Sequence, residues 1–262
     1  MADAQAAGLK AAALVNVSGT DAAAAAALRK ASLSAMPYSG PFTSRASLIL
    51  DGRYVQGGLA EGFAAGKQVR VPLLIGGNSN EASLFRPQAS ALDAIPPERR
   101  AAAMAAFDPK GAGNRAQIVN DMATRQYVTE PDRAIGRAQA KVGAPVYAYY
   151  FAYVSPGARA QLPYGAPHTA EIKYAFAGPR QKFAAEDPPL AKAVNAYWAA
   201  FIKTGNPDSA GGPAWPRFAP NESFMEFGAE GPVPHDHFLK AQLDWQEAAV
   251  KAGGGASPTT PR

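Results

Sequence analysis

The stretch VPLLIGGNSNEASLF, residues 71–85, decides how the rest of the chain is interpreted. Its first five residues, 71–75, form a nearly continuous apolar run, which predicts a short strand buried on both faces, as in a parallel sheet. Gly76 and Gly77 predict a sharp turn after that strand, because glycine adopts backbone conformations that other residues avoid. Glu81 then lies just beyond the carboxyl end of the strand. In open α/β sheets, this edge collects ligands and catalytic groups.

Glu81 has two interpretations at this point. Its carboxylate can orient a histidine brought to the same edge of the sheet. Alternatively, Glu81 occupies the first turn of the following helix, where the helix dipole favours negative charge. The segment by itself leaves both open.

The composition describes a globular protein and excludes several function classes. Hydrophobic residues make up 47% and charged residues 18% of the 262, with a formal net charge of +5. Lysine and arginine are scattered, which gives no nucleic-acid footprint. No apolar run approaches the ~18 residues of a membrane span. The chain has no cysteine, so it carries neither a disulfide framework nor a thiolate nucleophile or metal site.

Alternation of strand and helix signals predicts an α/β fold. We expect one domain over residues 1–250 and a disordered tail over residues 251–262, which are rich in glycine and proline. Strands are predicted at 47–55, where the strand ends in a turn at Asp51-Gly52, at 71–75 and 144–153, and within 215–227. Helices are predicted at 2–15, 22–29, 59–65, 97–106, 114–127, 130–142, 189–204 and 236–249.

His168 is the histidine with a functional setting. It lies in YGAPHTAEIKYAF, a glycine- and proline-rich loop after the 144–153 strand, and such loops commonly hold catalytic side chains. A structural or merely exposed histidine is the alternative. His235 and His237 flank Asp236, a spacing that could contact a metal, but a surface turn is the favoured interpretation because no further ligand cluster supports them.

An acid after one strand and a histidine after a later one match, in that order, the last two members of the α/β-hydrolase triad. Several segments carry a closer similarity, and the chain resembles the C-terminal half of the type B carboxylesterases, the cholinesterase-like lineage. These segments are LILDGRYVQGG, VPLLIGGNSNEASLF, APVYAYYF, GAPHTAEIKYAF, and VNAYWAAFIKTGNPD followed by AWPRF.

The resemblance implies the C-terminal portion of an α/β-hydrolase fold, with mostly parallel strands flanked by helices. It assigns Glu81 as the triad acid and His168 as the general base. The chain departs from the family pattern at Asn80, where aspartate is common, and at Thr169, where glycine is common. Neither departure removes a catalytic group.

The family's nucleophilic serine lies in a Gly-x-Ser-x-Gly elbow, N-terminal to every matched segment. No serine of this chain has glycine two residues before and two residues after it; Ser79 follows Gly77 by two residues, but Glu81 takes the second place. We therefore expect a fragment that lacks the nucleophile, the oxyanion hole and the first strands, and that is inactive alone. Whether the chain itself is an enzyme stays open.

The resemblance implies an ester substrate of low molecular weight in the intact enzyme, the missing N-terminal half as a partner, and no metal or organic cofactor. The alternatives are a non-catalytic esterase-like module or relic, and a hydrolase that uses another serine, such as Ser18, Ser39 or Ser155. The compartment is open: the family is often exported, yet the N-terminal residues lack the basic region of a secretory signal. We assign the aromatic residues near the site to the core rather than to a substrate pocket, namely Tyr149, Phe151, Tyr153, Tyr164 and Phe176.

Overall fold

The computed structural model describes residues 2–32, 34 and 49–252. They fall into two units, Met1–Ala65 and Gly66–Arg262. Most of the predicted tail, residues 253–262, lies outside the described residues, and the helix before it ends at Lys251.

The first unit contains three helices in its described part, close to their predicted positions: α1 (Ala2–Ala13), α2 (Ala22–Lys30) and α3 (Leu59–Ala64). Asp21 caps α2, since its carboxylate accepts the Ala24 N–H at 2.8 Å. No strand forms over residues 49–55, the described part of the strand predicted at 47–55, but the turn predicted at Asp51-Gly52 is present. There the Asp51 carboxylate accepts three backbone N–H groups, from residues 53, 54 and 55, so the side chain closes a turn.

The second unit is built on a four-stranded sheet of β1 (Leu73–Asn78), β2 (Val146–Phe151), β3 (Phe224–Gly228) and β4 (Gly231–His235), in the order β1-β2-β3-β4. The first three strands are parallel, and β4 returns antiparallel beside β3. The predicted α/β fold with mostly parallel strands is confirmed. The sequence analysis missed β4 because Pro232 and Pro234 argue against a strand; they are tolerated here because β4 is an edge strand.

β1 differs from its prediction in position and in the role of its glycines. The strand runs through Gly76 and Gly77 instead of turning there. A Cβ on Gly76 would lie 2.1 Å from the Tyr149 carbonyl oxygen, and one on Gly77 would lie 2.5 Å from Val128 Cγ1. Both positions therefore need glycine for close packing. The strand is also less buried than expected, because among the described residues only β2 pairs with it.

The helices of the second unit are α4 (Pro97–Phe107), α5 (Arg115–Thr124), α6 (Glu130–Lys141), α7 (Ile172–Phe176), α8 (Pro188–Thr204) and α9 (Lys240–Lys251). α7 and α8 pack on one face of the sheet and α6 on the other, while α4 packs against α5 and α9. The predicted break between α5 and α6 is instead a π-helical turn, Arg125–Thr129, that joins them. This wider turn leads into Pro131, which lacks an N–H to donate. Gly205, at φ +73°, ends α8 as predicted.

The core lies on the two faces of β2. Alternate residues Tyr147 and Phe151 pack into an aromatic cluster with Tyr197 and Trp215, while Val146 and Ala148 face a second cluster on the other side. The predicted core position of Phe176 is wrong, because its side chain at the end of α7 is 75% exposed.

Candidate active site

Glu81 lies three residues after the last residue of β1 and begins a four-residue 3₁₀ turn, Glu81–Leu84. Its side chain is only 5% exposed and folds back toward the strand, where Oε1 accepts the Asn78 N–H at 2.7 Å. The absence of a side chain at Gly77 leaves room for this carboxylate, since a Cβ there would lie 3.1 Å from Oε1. A turn this short has little dipole, so the structure gives weak support to the helix-dipole interpretation of Glu81.

The other oxygen of Glu81 contacts the ring of His168. Nδ1 of His168 is hydrogen-bonded to Oε2 of Glu81, across 87 positions of sequence. The histidine side chain is 43% exposed, whereas the carboxylate is buried. The structure thus brings the two predicted site residues together, with the acid inside and the imidazole at the surface. Their catalytic roles stay a prediction.

The histidine loop reaches Glu81 because it lies along the end of β1 like a short extra strand. Asn80 N–H donates to the Ala166 carbonyl at 2.8 Å, and Ala166 N–H donates to the Ser79 hydroxyl at 2.8 Å. Asn78 Nδ2 donates to the Pro167 carbonyl at 3.0 Å. Gly165 makes this approach possible: it sits at φ +104°, and a Cβ there would lie 2.4 Å from Ser79 Oγ.

Three carboxyl groups act on the electrostatics of this region. Asn78 is fully buried and also donates from Nδ2 to Glu171. Asp132 lies on α6, and burial together with the charge of Glu81 raises the pKa of its carboxyl to about 7. Its Oδ2 is buried without a hydrogen-bond partner. Burial, assisted by the charges of Glu171, Asp132 and Glu81, also raises the pKa of the Tyr149 hydroxyl.

The sequence analysis missed the supporting residues Asn78, Asp132 and Glu171. Asn78 directly follows the Gly76-Gly77 pair and is the last residue of β1, a position that is compatible with a bridging role. Nothing in the local pattern could have indicated Asp132, because its proximity to Glu81 arises only when α6 packs on β1.

Of the serines considered as alternative nucleophiles, Ser155 lies in the same unit as this site and is bonded to a different side chain. Ser155 donates its hydroxyl to Asp187 at 2.6 Å. Burial opposes ionisation of Asp187, but its bonds from Ser155, Ala184 N–H and Lys173 outweigh that effect and lower the pKa of the carboxyl. Ser18 lies in the first unit, and Ser39 lies outside the described residues. Among the described residues, no serine hydroxyl is hydrogen-bonded to the His168 ring.

The other two histidines, His235 and His237, lie at the end of β4 and two residues beyond it. His235 Nε2 lies 2.9 Å from Glu226 Oε2, and Asp236 accepts a hydrogen bond from Asn221 at 3.0 Å and another from Ser223. Over the described ranges, no group of three or more histidine, cysteine or acidic side chains is placed to hold a metal ion. The helices of those same ranges include none that is both long and apolar enough to cross a bilayer.

Comparison with known proteins gives consistent matches. Residues 98–244 match the carboxylesterase family, a range that contains His168 and follows Glu81. Acetylcholinesterase of Gallus gallus is 30% identical over 132 residues, covering 48% of this chain and 17% of that protein. Carboxylesterase 1D of Mus musculus is 33% identical over 125 residues, covering 46% and 22%. The crystal structure of Aspergillus niger EstA superposes with a TM-score of 0.68 at 16% identity, over 91% of this chain and 52% of that chain.

A mostly parallel sheet between helices, with its structural similarity to EstA, defines the α/β-hydrolase fold. Since the family match spans more than half of the 262 residues, the chain belongs to the carboxylesterase family. The resemblance inferred from the sequence is therefore confirmed. The chain spans about half the length of EstA, and its matches cover about a quarter or less of these curated relatives.

Proposed function

We propose that Glu81 and His168 are the acid and the base of a Ser-His-Glu triad that hydrolyses carboxylic esters. The contact between the buried Glu81 carboxylate and His168 Nδ1 carries this proposal. A hydrogen bond from Nδ1 to the carboxylate holds the imidazole in the tautomer whose Nε2 is unprotonated. That nitrogen is the one that can accept a proton from a nucleophile.

In the proposed reaction, His168 Nε2 takes the proton of a serine hydroxyl as the serine oxygen attacks the ester carbonyl. The same nitrogen then returns the proton to the leaving alcohol, and an acyl-enzyme remains. Water repeats the cycle and releases the carboxylic acid. Glu81 stabilises the imidazolium during both steps and holds the ring in place.

We further propose that the serine and the oxyanion hole come from polypeptide outside these 262 residues, so that the chain alone is inactive. Three observations support this. The chain has no Gly-x-Ser-x-Gly elbow, its fold corresponds to 52% of EstA, and the Ser155 hydroxyl is bonded to Asp187.

The first test is intact-mass analysis of the purified chain after exposure to a fluorophosphonate probe, with His168→Ala as the comparison. We expect no adduct on the folded chain. A single adduct that disappears in His168→Ala would support the base assignment and overturn the proposal that the nucleophile lies elsewhere.

The second test co-expresses the chain with the polypeptide encoded directly upstream of it and measures hydrolysis of p-nitrophenyl butyrate. If that polypeptide supplies the serine, we expect activity that His168→Ala lowers by about 10⁴-fold or more and Glu81→Gln lowers substantially. His237→Asn, at an exposed histidine of the hairpin, is the matched control and should leave the rate unchanged. Activity that survives both site variants would refute the assigned roles.

A further inference from the structure

One short turn holds the same histidine at two points. Glu81 and Ser83 belong to the 3₁₀ turn that follows β1. Glu81 binds the His168 ring at Nδ1, while Ser83 Oγ accepts the His168 backbone N–H at 3.0 Å. Because the two contacts attach to opposite ends of the residue, together they restrict both the main chain and the ring.

The surroundings of His168 supply few other constraints on its position. The side chain is 43% exposed, so packing alone leaves its ring orientation poorly determined. The next residue, Thr169, has φ +70°, so the chain turns away immediately after the histidine. The Ser83 bond is the last hydrogen bond between the histidine loop and the β1 end before that turn.

We propose that Ser83 is a positioning residue, which holds the His168 main chain where Nδ1 meets Glu81 and Nε2 faces outward. This inference rests on the proposed roles of Glu81 and His168. Ser83 itself does not act on substrate; its hydroxyl is directed at the histidine backbone. Ser79 contacts a different point of the loop, because its hydroxyl accepts the N–H of Ala166, two residues before His168.

Loss of one such hydrogen bond shifts the ratio of docked to undocked histidine by about 2- to 13-fold. Ser83→Ala removes the acceptor, and Ser83→Cys replaces it with a weak one at similar volume. Ser83→Thr retains the hydroxyl and should restore the wild-type behaviour. Ser155→Ala is the control for loss of a serine side-chain hydrogen bond that does not involve His168; there the hydroxyl donates to Asp187, whereas Ser83 accepts from a backbone N–H.

The readout is long-range proton–nitrogen NMR of the chain labelled at its histidines, with His168→Gln used to assign the signals. In wild type we expect a protonated Nδ1 with a slowly exchanging proton and an unprotonated Nε2. In Ser83→Ala and Ser83→Cys we expect faster exchange of the Nδ1 proton and a mixture of tautomers. Circular dichroism shows which variants are folded. If Ser83→Ala does not fold, the comparison of Ser83→Cys with wild type decides the result.

The outcomes separate the two levels of the proposal. A wild-type Nδ1 signal that is unchanged in both loss variants would overturn the role of Ser83 and leave the Glu81–His168 pair standing. Absence of that signal in wild type would overturn the pair itself, and with it the proposed function. A fluorophosphonate adduct located on Ser83 would show a nucleophile instead of a positioning residue.

Discussion

Asp132 offers a sharp test of the electrostatics beside the candidate site. Its carboxyl lies on α6 near Glu81, with Oδ2 buried and without a hydrogen-bond partner. Burial first, and the Glu81 charge second, raise the pKa of Asp132 from 3.8 to about 7. We expect Asp132→Asn, which removes the charge at similar volume, to stabilise the chain at neutral pH.

The size and sign of the effect follow from linkage between protonation and folding. Below the unfolded pKa, both states hold the proton and the carboxyl imposes no electrostatic cost. Between about pH 4 and pH 7 the unfolded chain ionises first, so the free energy of unfolding falls as the pH rises. Above pH 7 both states are ionised and the cost is constant. A shift of about three pH units corresponds to an upper limit of about 4 kcal/mol.

The assay is urea unfolding of wild type and Asp132→Asn at several pH values from 5 to 8. The amide is itself polar, and its contribution to the free energy of unfolding does not change with pH. The slope, against pH, of the difference in free energy of unfolding between Asp132→Asn and wild type therefore reports the effect of the charge alone. We expect the variant to gain at least about 1 kcal/mol relative to wild type across this range. Asp93→Asn is the control, because Asp93 is an exposed partner of Arg115 and such pairs contribute about 1 kcal/mol or less.

A difference between Asp132→Asn and wild type that stays flat from pH 5 to pH 8 would refute the reasoning. It would mean that Asp132 is already ionised in the folded chain. In that case the carboxyl group is solvated or paired in solution, and neither burial nor the charge of Glu81 raises its pKa as argued above.

Two further predictions concern packing and buried charge. Gly76→Ala should destabilise the chain by about 3 kcal/mol or more in urea unfolding, because its Cβ would meet the Tyr149 carbonyl oxygen; Gly8→Ala, in open space on α1, should stabilise by about 0.5–1 kcal/mol. Equal effects would contradict the packing argument. Arg133→Met should cost about 3 kcal/mol, because its guanidinium is 1% exposed and contacts three carboxylates, while exposed Lys240→Met should cost less than about 1 kcal/mol in the same measurement. A loss for Arg133 no larger than that for Lys240 would argue against the buried ion cluster.

The helices were predicted well because their signals are local. The apolar period of α8, the Asp21 cap of α2 and the αL glycine after α8 each specify structure within a few residues. α9 begins at Lys240, four residues after its predicted start. Asp236 instead binds Asn221 and Ser223, and His237 and Leu239 adopt positive φ. The contacts of Asp236 join residues more than ten positions apart, so the residues next to it do not indicate them.

The glycines of β1, unlike the helix signals, have a role that local sequence predicted wrongly. A Gly-Gly pair after an apolar run is typical of a turn, yet Gly76 and Gly77 continue the strand. The deciding factor is the space taken by Tyr149 on β2 and Val128 in the π-helical turn. Neither neighbour can be inferred from the residues adjacent to the glycines.

The sequence by itself determined the fold class, the family and the order of acid and histidine. These follow from the hydrophobic periodicity of strands and helices, from the glycine and proline breaks between them, and from the order of short motifs along the chain. Only the tertiary structure decided that His168 Nδ1 meets Glu81, that Ser83 holds the His168 backbone, and that Asp132 lies beside the acid. The physical reason is that these contacts join segments tens of residues apart. The parallel register of β1 on β2, and the packing of α6 against them, set which side chains share the edge of the sheet.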